Sequence, residues 1–368
     1  MSLVKSAVWI LNVAVGAIVV LALTAVQPPR PTQALPELSR RYGVPCSACH
    51  TVAPQLNTFG LAYQANEFNW PGGNPPAYHT GLASIPVSVL ATGNSIVSDN
   101  SLGDLTFQSL EFFEIGGVKG GPLNGSGYFT DLIAATPPNF TWTADLNDTF
   151  ASVPLFGSKY ALTVGQFTPL QYQYDINNSL TVSTPLALFN TVGNFSASGA
   201  SPGVRLDYFD HRGSYKPDGL YVDAGVSTDG HLSLNRDQTR IGTGQGGYIH
   251  AFTRKGYNSI GVLGYEDGNV YDVIALGTLG ARNKMFLTGA GSVSHDMTGT
   301  QKLLGLQGEY SLNPRFAGTI LGNYDGHTTY PVYSVTAYPF DDRTIRITAE
   351  SIQDPGLRST QIVLQGQF

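Results

Sequence analysis

"DGLYVDAGVSTDG", residues 218–230, alternates between two kinds of side chain. Leu220, Val222, Ala224 and Val226 fall on one face of an extended chain, and Tyr221, Asp223, Gly225 and Ser227 on the other. A period of two marks a strand whose faces meet unlike surroundings. The same beat returns downstream. In "RFAGTILGNYDG", residues 315–326, Phe316, Gly318, Ile320, Gly322 and Tyr324 oppose Arg315, Ala317, Thr319, Asn323 and Asp325. In "RTIRITAES", residues 343–351, Ile345, Ile347 and Ala349 oppose Thr344, Arg346, Thr348 and Glu350. Gly, Asn, Asp and Pro collect between such segments, at "EDGN", "LNPR", "PFDDR" and "QDPG", where hairpins reverse.

Composition identifies the two surroundings. Charged residues make up 12% of the 368, against about 25% in ordinary soluble domains. Yet the mean hydropathy is −0.03, and no long apolar run follows the first 26 residues. Low charge without long apolar runs is what alternating strands produce when one face meets lipid and the other a polar interior. "STQIVLQGQF", residues 359–368, ends the chain on Phe368 with Ile362, Leu364 and Gly366 at alternate positions before it. A terminal aromatic closing an amphipathic strand resembles the signal read by the outer-membrane barrel insertion machinery.

These features predict an all-β fold over residues 80–368: a transmembrane antiparallel β-barrel of about 16 strands, with 14 and 18 as neighbouring even counts. The strands are expected to begin near residues 82, 103, 124, 139, 157, 200, 217, 246, 258, 269, 284, 301, 314, 330, 343 and 358. Residues 177–200 and 231–247 do not pair easily and are expected as extracellular loops or as segments folded inward. A barrel of this size has a wide lumen.

Residues 1–34 read as an export signal. Lys5 precedes an apolar run broken only by Asn12, and a Pro-rich stretch with Thr32-Gln33-Ala34 follows, which fits signal cleavage; the run is also long enough for an uncleaved anchor. Behind it lies "YGVPCSACHTVAPQLNTFG", residues 42–60, which holds both cysteines of the chain. A redox pair needs a thioredoxin-like context and a zinc site needs two more ligands. Cys-x-x-Cys-His is instead the attachment pattern of one covalent c-type haem, with Cys46 and Cys49 adding to the two vinyl groups and His50 as the proximal iron ligand. A structural disulfide is the plain alternative.

The residues after the motif suit a short amphipathic helix over the haem. Pro54 stands at a plausible first turn, and Leu56, Phe59, Tyr63 and Phe68 lie near one face; Phe59 is the aromatic taken as a haem contact. For the sixth iron position, His79 in "PPAYHTG" is either the distal ligand or an exposed linker histidine, and Met285 and Met297 are remote candidates. Residues 35–79 therefore form a monohaem cytochrome segment.

An exported chain with one such segment, then Pro54-x-Leu56-x-x-Phe59-Gly60, then a porin-like barrel, resembles the fused outer-membrane cytochrome-porins. The best known of these are the iron oxidases of iron-oxidising bacteria. The architectural resemblance covers the whole mature chain, and the motif match about residues 42–68. It implies electron transfer between an extracellular donor, such as Fe(II), and a periplasmic c-type cytochrome or other acceptor, with Cys46, Cys49 and His50 holding the haem. Where that family carries Pro-Glu-Leu-Thr-Pro-Phe-Gly-Arg, this chain reads Pro54-Gln55-Leu56-Asn57-Thr58-Phe59-Gly60-Leu61. Haem binding therefore carries over better than iron specificity.

Two other classes compete: an outer-membrane diffusion pore with an accessory cytochrome plug, and a soluble periplasmic haem carrier. The expected partners are outer-membrane lipid and electron donors and acceptors. A net charge of −6 argues against nucleic acid. The sequence carries no P-loop, no His-Glu-x-x-His and no nucleophile triad.

Overall fold

A computed structural model describes residues 37–52, 54–73, 87–98, 101–103, 106–135, 145–155, 159–174, 180, 182–189, 191–192, 195–228, 245–281, 284–339, 345–353 and 358–367. Sixteen long strands dominate it. The first eight are β1 Ser88–Ser98, β2 Thr106–Gly117, β3 Gly127–Ala135, β4 Asp145–Leu155, β5 Tyr160–Phe167, β6 Ser201–Phe209, β7 Gly219–Thr228 and β8 Gln245–Lys255. The rest are β9 Asn258–Asp267, β10 Val270–Ala281, β11 Met285–Asp296, β12 Gly299–Asn313, β13 Phe316–Tyr324, β14 Thr329–Ala337, β15 Ile345–Gln353 and β16 Arg358–Gln367. The expected starts all fall within six residues of these, the widest offsets being 82 against Ser88 and 139 against Asp145.

Each strand pairs antiparallel with its neighbours, and β16 returns to β1 from Thr360↔Val97 to Gln367↔Leu90, closing the barrel. A two-residue strand, Ser101–Leu102, adds to β1. Closure satisfies every ladder and leaves no edge, which is what a sheet needs in order to cross hydrocarbon.

The period of two has the orientation read from residues 218–230. On β7, Tyr221, Asp223 and Ser227 are buried toward the lumen, whereas Leu220 and Val226 are exposed on the outside. Ile249 (58% exposed), Ile260 (68%), Leu279 (62%) and Ile320 (62%) continue this outer apolar wall. Inside, Thr348 and Glu350 of β15 are buried, as their place opposite Ile347 and Ala349 requires. A closed antiparallel barrel with an apolar exterior and a polar interior is a bacterial outer-membrane architecture. Among the described residues no helix is long and apolar enough to span a membrane, so the strands do the crossing.

Two segments occupy the lumen. One is the N-terminal segment, residues 37–73, with helices α1 Glu37–Tyr42 and α2 Thr58–Ala65. It packs at the end where β1 begins and β16 finishes, called here the proximal end. The other follows β5 and includes the single turn α3 Leu186–Phe189. Part of residues 177–200 thus folds inward. Of the stretch 231–247, residues 231–244 lie outside the described set, and Gln245, Gly246 and Gly247 do pair, opening β8 against Thr228, Ser227 and Val226 of β7.

Candidate functional site: the Cys-x-x-Cys-His segment

Cys46 to Ala48 form one 3-10 turn closed by the Cys49 amide on the Cys46 carbonyl, 3.2 Å. Neither cysteine is in a disulfide, and both are half-buried. Burial, with Cys46 adding to it, pushes the Cys49 thiol up to about 12, so it stays protonated at neutral pH. His50 follows directly. Its Nδ1 lies 2.8 Å from the carbonyl oxygen of Pro54. A carbonyl can only accept, so Nδ1 carries the ring proton, and any metal bond falls to Nε2.

The segment after the motif differs from the expected helix. Pro54 does not start one. Residues His50–Val52 pair with Gln55–Leu56 in a small hairpin, and Pro54 sits at its bend with its carbonyl turned to His50. The helix begins later, at Thr58, because Asn57 caps it: the Asn57 side chain accepts from the amides of Phe59 (2.9 Å) and Gly60 (3.0 Å). The same side chain donates to the carbonyls of Ser47 and Ala48, both at 3.0 Å, and the Asn57 amide donates to Cys49 O at 2.8 Å. Asn57 thereby ties the helix start to the cysteine turn. Gly60 completes that contact, since a Cβ there would collide with the Cys49 carbonyl oxygen.

Four rings gather beside the motif. Trp70 packs against Tyr42 (4.9 Å between centroids), Phe59 (5.0 Å) and Tyr63 (6.4 Å). Phe59 and Tyr63 share the helix face, as expected. Phe68 does not: it lies past the helix, in the left-handed region at φ 57 next to Glu67 at φ 52. Such backbone is strained for residues with a Cβ and is held from both sides here. Phe68 joins Phe129 (5.6 Å) and Phe150 (6.1 Å) on the wall. Glu67 accepts from Tyr172 Oη and pairs with Arg212 at 3.2 Å.

Other anchors bind the segment to the proximal end. Ile115 N donates to Glu37 at 3.1 Å, Arg41 donates to Ile115 O at 3.0 Å, and Glu37 also pairs with Arg41. Asn69 donates to Gly125 O at 2.9 Å, and the Gly213 amide donates to Asn66. Gln55 reaches across to Glu309 of β12 at 2.8 Å.

The donor set is of the kind a c-type haem needs: two cysteines outside any disulfide on one turn, a histidine whose tautomer is fixed, and an aromatic wall. A pocket of about 90 Å³ between Leu56, Leu61, Gln173, Tyr257 and Phe286 is too small for it, since cofactor sites run to roughly 300–1,000 Å³. The candidates for the sixth position divide. His79 lies outside the described residues. Met285 is 52% exposed on the outer wall, and Met297 is 99% exposed in the β11–β12 turn at the opposite end, so neither reaches the motif. His250 is buried with Nδ1 3.0 Å from Asp223 and Nε2 2.8 Å from Gln173, both nitrogens committed. Among the described residues no three His, Cys, Asp or Glu converge as a metal-ion site.

A wall network was not legible in the sequence. Arg205, fully buried, pairs with Asp207 at 2.6 Å and lies over the rings of Phe167 (4.7 Å) and Tyr172 (4.8 Å). Thr163 (2.6 Å) and Tyr221 (3.0 Å) also donate to Asp207.

No family model matches the chain, and neither does any curated protein. Solved structures do. OmpF of Salmonella typhi, in a complex with daunomycin, is 10% identical at a TM-score of 0.57, over 77% of this chain and 97% of that one. A mutant porin of Rh. blastica is 8% identical at a TM-score of 0.52, over 77% and 99%. At such identities the likeness is one of fold, and the fold is that of a 16-stranded porin barrel.

Proposed function

We propose that this barrel carries one covalent c-type haem on Cys46, Cys49 and His50 and passes electrons across the outer membrane, between an extracellular one-electron donor and a periplasmic acceptor. The observation that carries this reading is the Nδ1 bond of His50 to Pro54 O, directly behind two cysteines that form no disulfide, in a segment built into the barrel. When bound, the haem supplies a one-electron iron couple. The chain's own residues hold and orient it: the two cysteines fix the group, Pro54 sets the histidine ring, and Phe59, Tyr63 and Trp70 keep water from one side. Fe(II) is the donor that the resemblance implies, and the changed polar positions Gln55, Asn57 and Leu61 leave the donor open to other metals or surface cytochromes.

A diffusion pore with an accessory plug is the second reading. The comparisons support it more directly, because the similar structures are porins. The inward segments count against a freely open lumen. Haem-stained electrophoresis of the outer-membrane fraction, with spectra of the purified protein before and after Fe(II) and dithionite, tests the first reading. A stained band reduced by Fe(II) is the expected result. A band reduced only by dithionite keeps the haem and removes iron. No staining, together with porin-like conductance in planar bilayers unchanged by Cys46→Ala and Cys49→Ala, replaces the first reading with the second.

A further inference from the structure

Among the described residues, the turns at the two ends of the barrel differ in charge. Lys119, Lys159, Lys216, Lys255, Lys284 and Arg315 stand one each in six successive hairpins of the proximal end, and the five lysines are exposed. The described carboxylates of those hairpins, Asp210 and Asp218, are engaged by backbone: Leu220 N donates to Asp210 at 2.9 Å and Gly256 N to Asp218 at 2.7 Å, with His211 3.2 Å from Asp210. At the opposite end the described turns hold Glu266, Asp267, Asp296 and Asp325, with Lys302 nearby on β12. Among the described residues, a chain of net charge −6 has thus gathered a row of cations at its proximal end.

That rim surrounds the end occupied by the Cys-x-x-Cys-His segment, whose Cys46, Cys49 and His50 are half-exposed and whose Pro45 and Ser47 are exposed. We propose that the proximal end is a docking surface for a soluble one-electron protein with an acidic contact face, steered by the lysine rim onto the cysteine turn. This rests on the electron-transfer reading, for which it supplies the acceptor's surface chemistry. Like charges around a site focus the approach of an oppositely charged partner and raise its on-rate, and redox encounters use small, weak interfaces governed by such fields. A protein seated on the rim covers the motif. Anionic lipid headgroups, lying outside the wall, do not.

The test uses the full-length protein in detergent micelles, passed over immobilised plant-type ferredoxin (acidic) and over immobilised mitochondrial cytochrome c (basic). Lys159→Glu/Lys216→Glu/Lys255→Glu is compared with wild type, and the corresponding triple Gln variant covers a failure of the Glu variant to fold. Ferredoxin is expected to be retained and cytochrome c to pass. Affinity is expected to fall about 10-fold or more between about 0.01 and 1 M salt, as the screening length shrinks from about 30 to about 3 Å. The Glu variant is expected to lose ferredoxin and gain cytochrome c, and the Gln variant to lose ferredoxin alone. Equal binding of both probes, no retention of either, or variants that bind as wild type overturn the proposal; so do variants that shed co-purified anionic phospholipid while ferredoxin binding is unchanged. Haem staining of the same samples separates the two readings. Charge-dependent binding without stain keeps the surface and removes electron transfer, whereas stain without such binding does the reverse.

Discussion

The two segments that fill the lumen are held in contrasting ways. The N-terminal segment has its own helices, caps and small hairpin, and meets the barrel at its ends and edges. The segment after β5 has almost no regular structure and takes its hydrogen bonds from wall side chains. Glu309 accepts from Leu180 N (3.0 Å), Glu350 from Val182 N (3.0 Å) and Ser183 N (3.1 Å), and Asn323 from Leu186 N (2.9 Å), while Thr336 donates to Leu180 O (2.8 Å). A buried amide must find an acceptor. The first segment meets this within itself, whereas the second relies on carboxylates projecting from β12 and β15. The two touch through Tyr172 and Glu67, and Glu309 serves both, accepting from Gln55 as well as Leu180.

The largest expected effect is at that junction. Arg205→Ala leaves Asp207 buried without its cation and removes the packing on Tyr172. It is expected to destabilise the protein by about 3–5 kcal/mol, read as thermal unfolding in micelles, and an unchanged midpoint would show the pair to be dispensable. Glu309→Ala comes next, at about 1–3 kcal/mol for the buried Leu180 amide left without an acceptor, and Glu350→Ala costs less because its amide partners Val182 and Ser183 are part-exposed. Limited proteolysis sharpens the comparison: Glu350→Ala is expected to expose only the segment after β5, and Glu309→Ala both segments.

Gly60→Ala is confined to the first segment. The new Cβ meets the Cys49 carbonyl, and an overpacking cost of about 1–3 kcal/mol is expected, read as faster amide exchange over residues 46–65. Asn57→Ala, which removes the cap, is expected to cost about 1 kcal/mol in the same region.

The smallest effect concerns pH. Burial raises the Glu37 carboxyl from 4.5 to about 7 despite Arg41 beside it. The folded state then holds the proton more tightly than the unfolded one. Its contribution is full below 4.5 and is lost as pH rises toward about 7. Protection of α1 is expected to fall over that window in wild type and to be flat in Glu37→Gln.

The wall was legible because it obeys a rule. Every residue of a strand such as β7 faces lipid or lumen, and the alternation of Leu220 with Tyr221 and Asp223 records that choice. The cysteine motif stands out for a similar reason, as the haem attachment proposed for it needs a fixed spacing. The filling was not, since Glu350 holding Ser183, or Glu67 held by Arg212, is a pairing of distant positions that leaves no periodic trace. Pro54 misled because proline favours first helical turns; here its carbonyl serves His50, and Asn57 was the capping signal. The proximal lysines were visible in the turns, but their common end emerges only once the sixteen strands have been counted in order.

The anchors of the N-terminal segment also set an order of assembly. Gln55 bonds to Glu309, 254 positions later, Asn66 to Gly213, and Glu67 to Tyr172 and Arg212. None of these seats exists until hairpins far downstream have formed, and contacts of such separation are made late. The N-terminal segment is therefore among the last parts of the fold to settle. Until then the turn of Cys46, Cys49 and His50 lacks the seat that the finished barrel gives it.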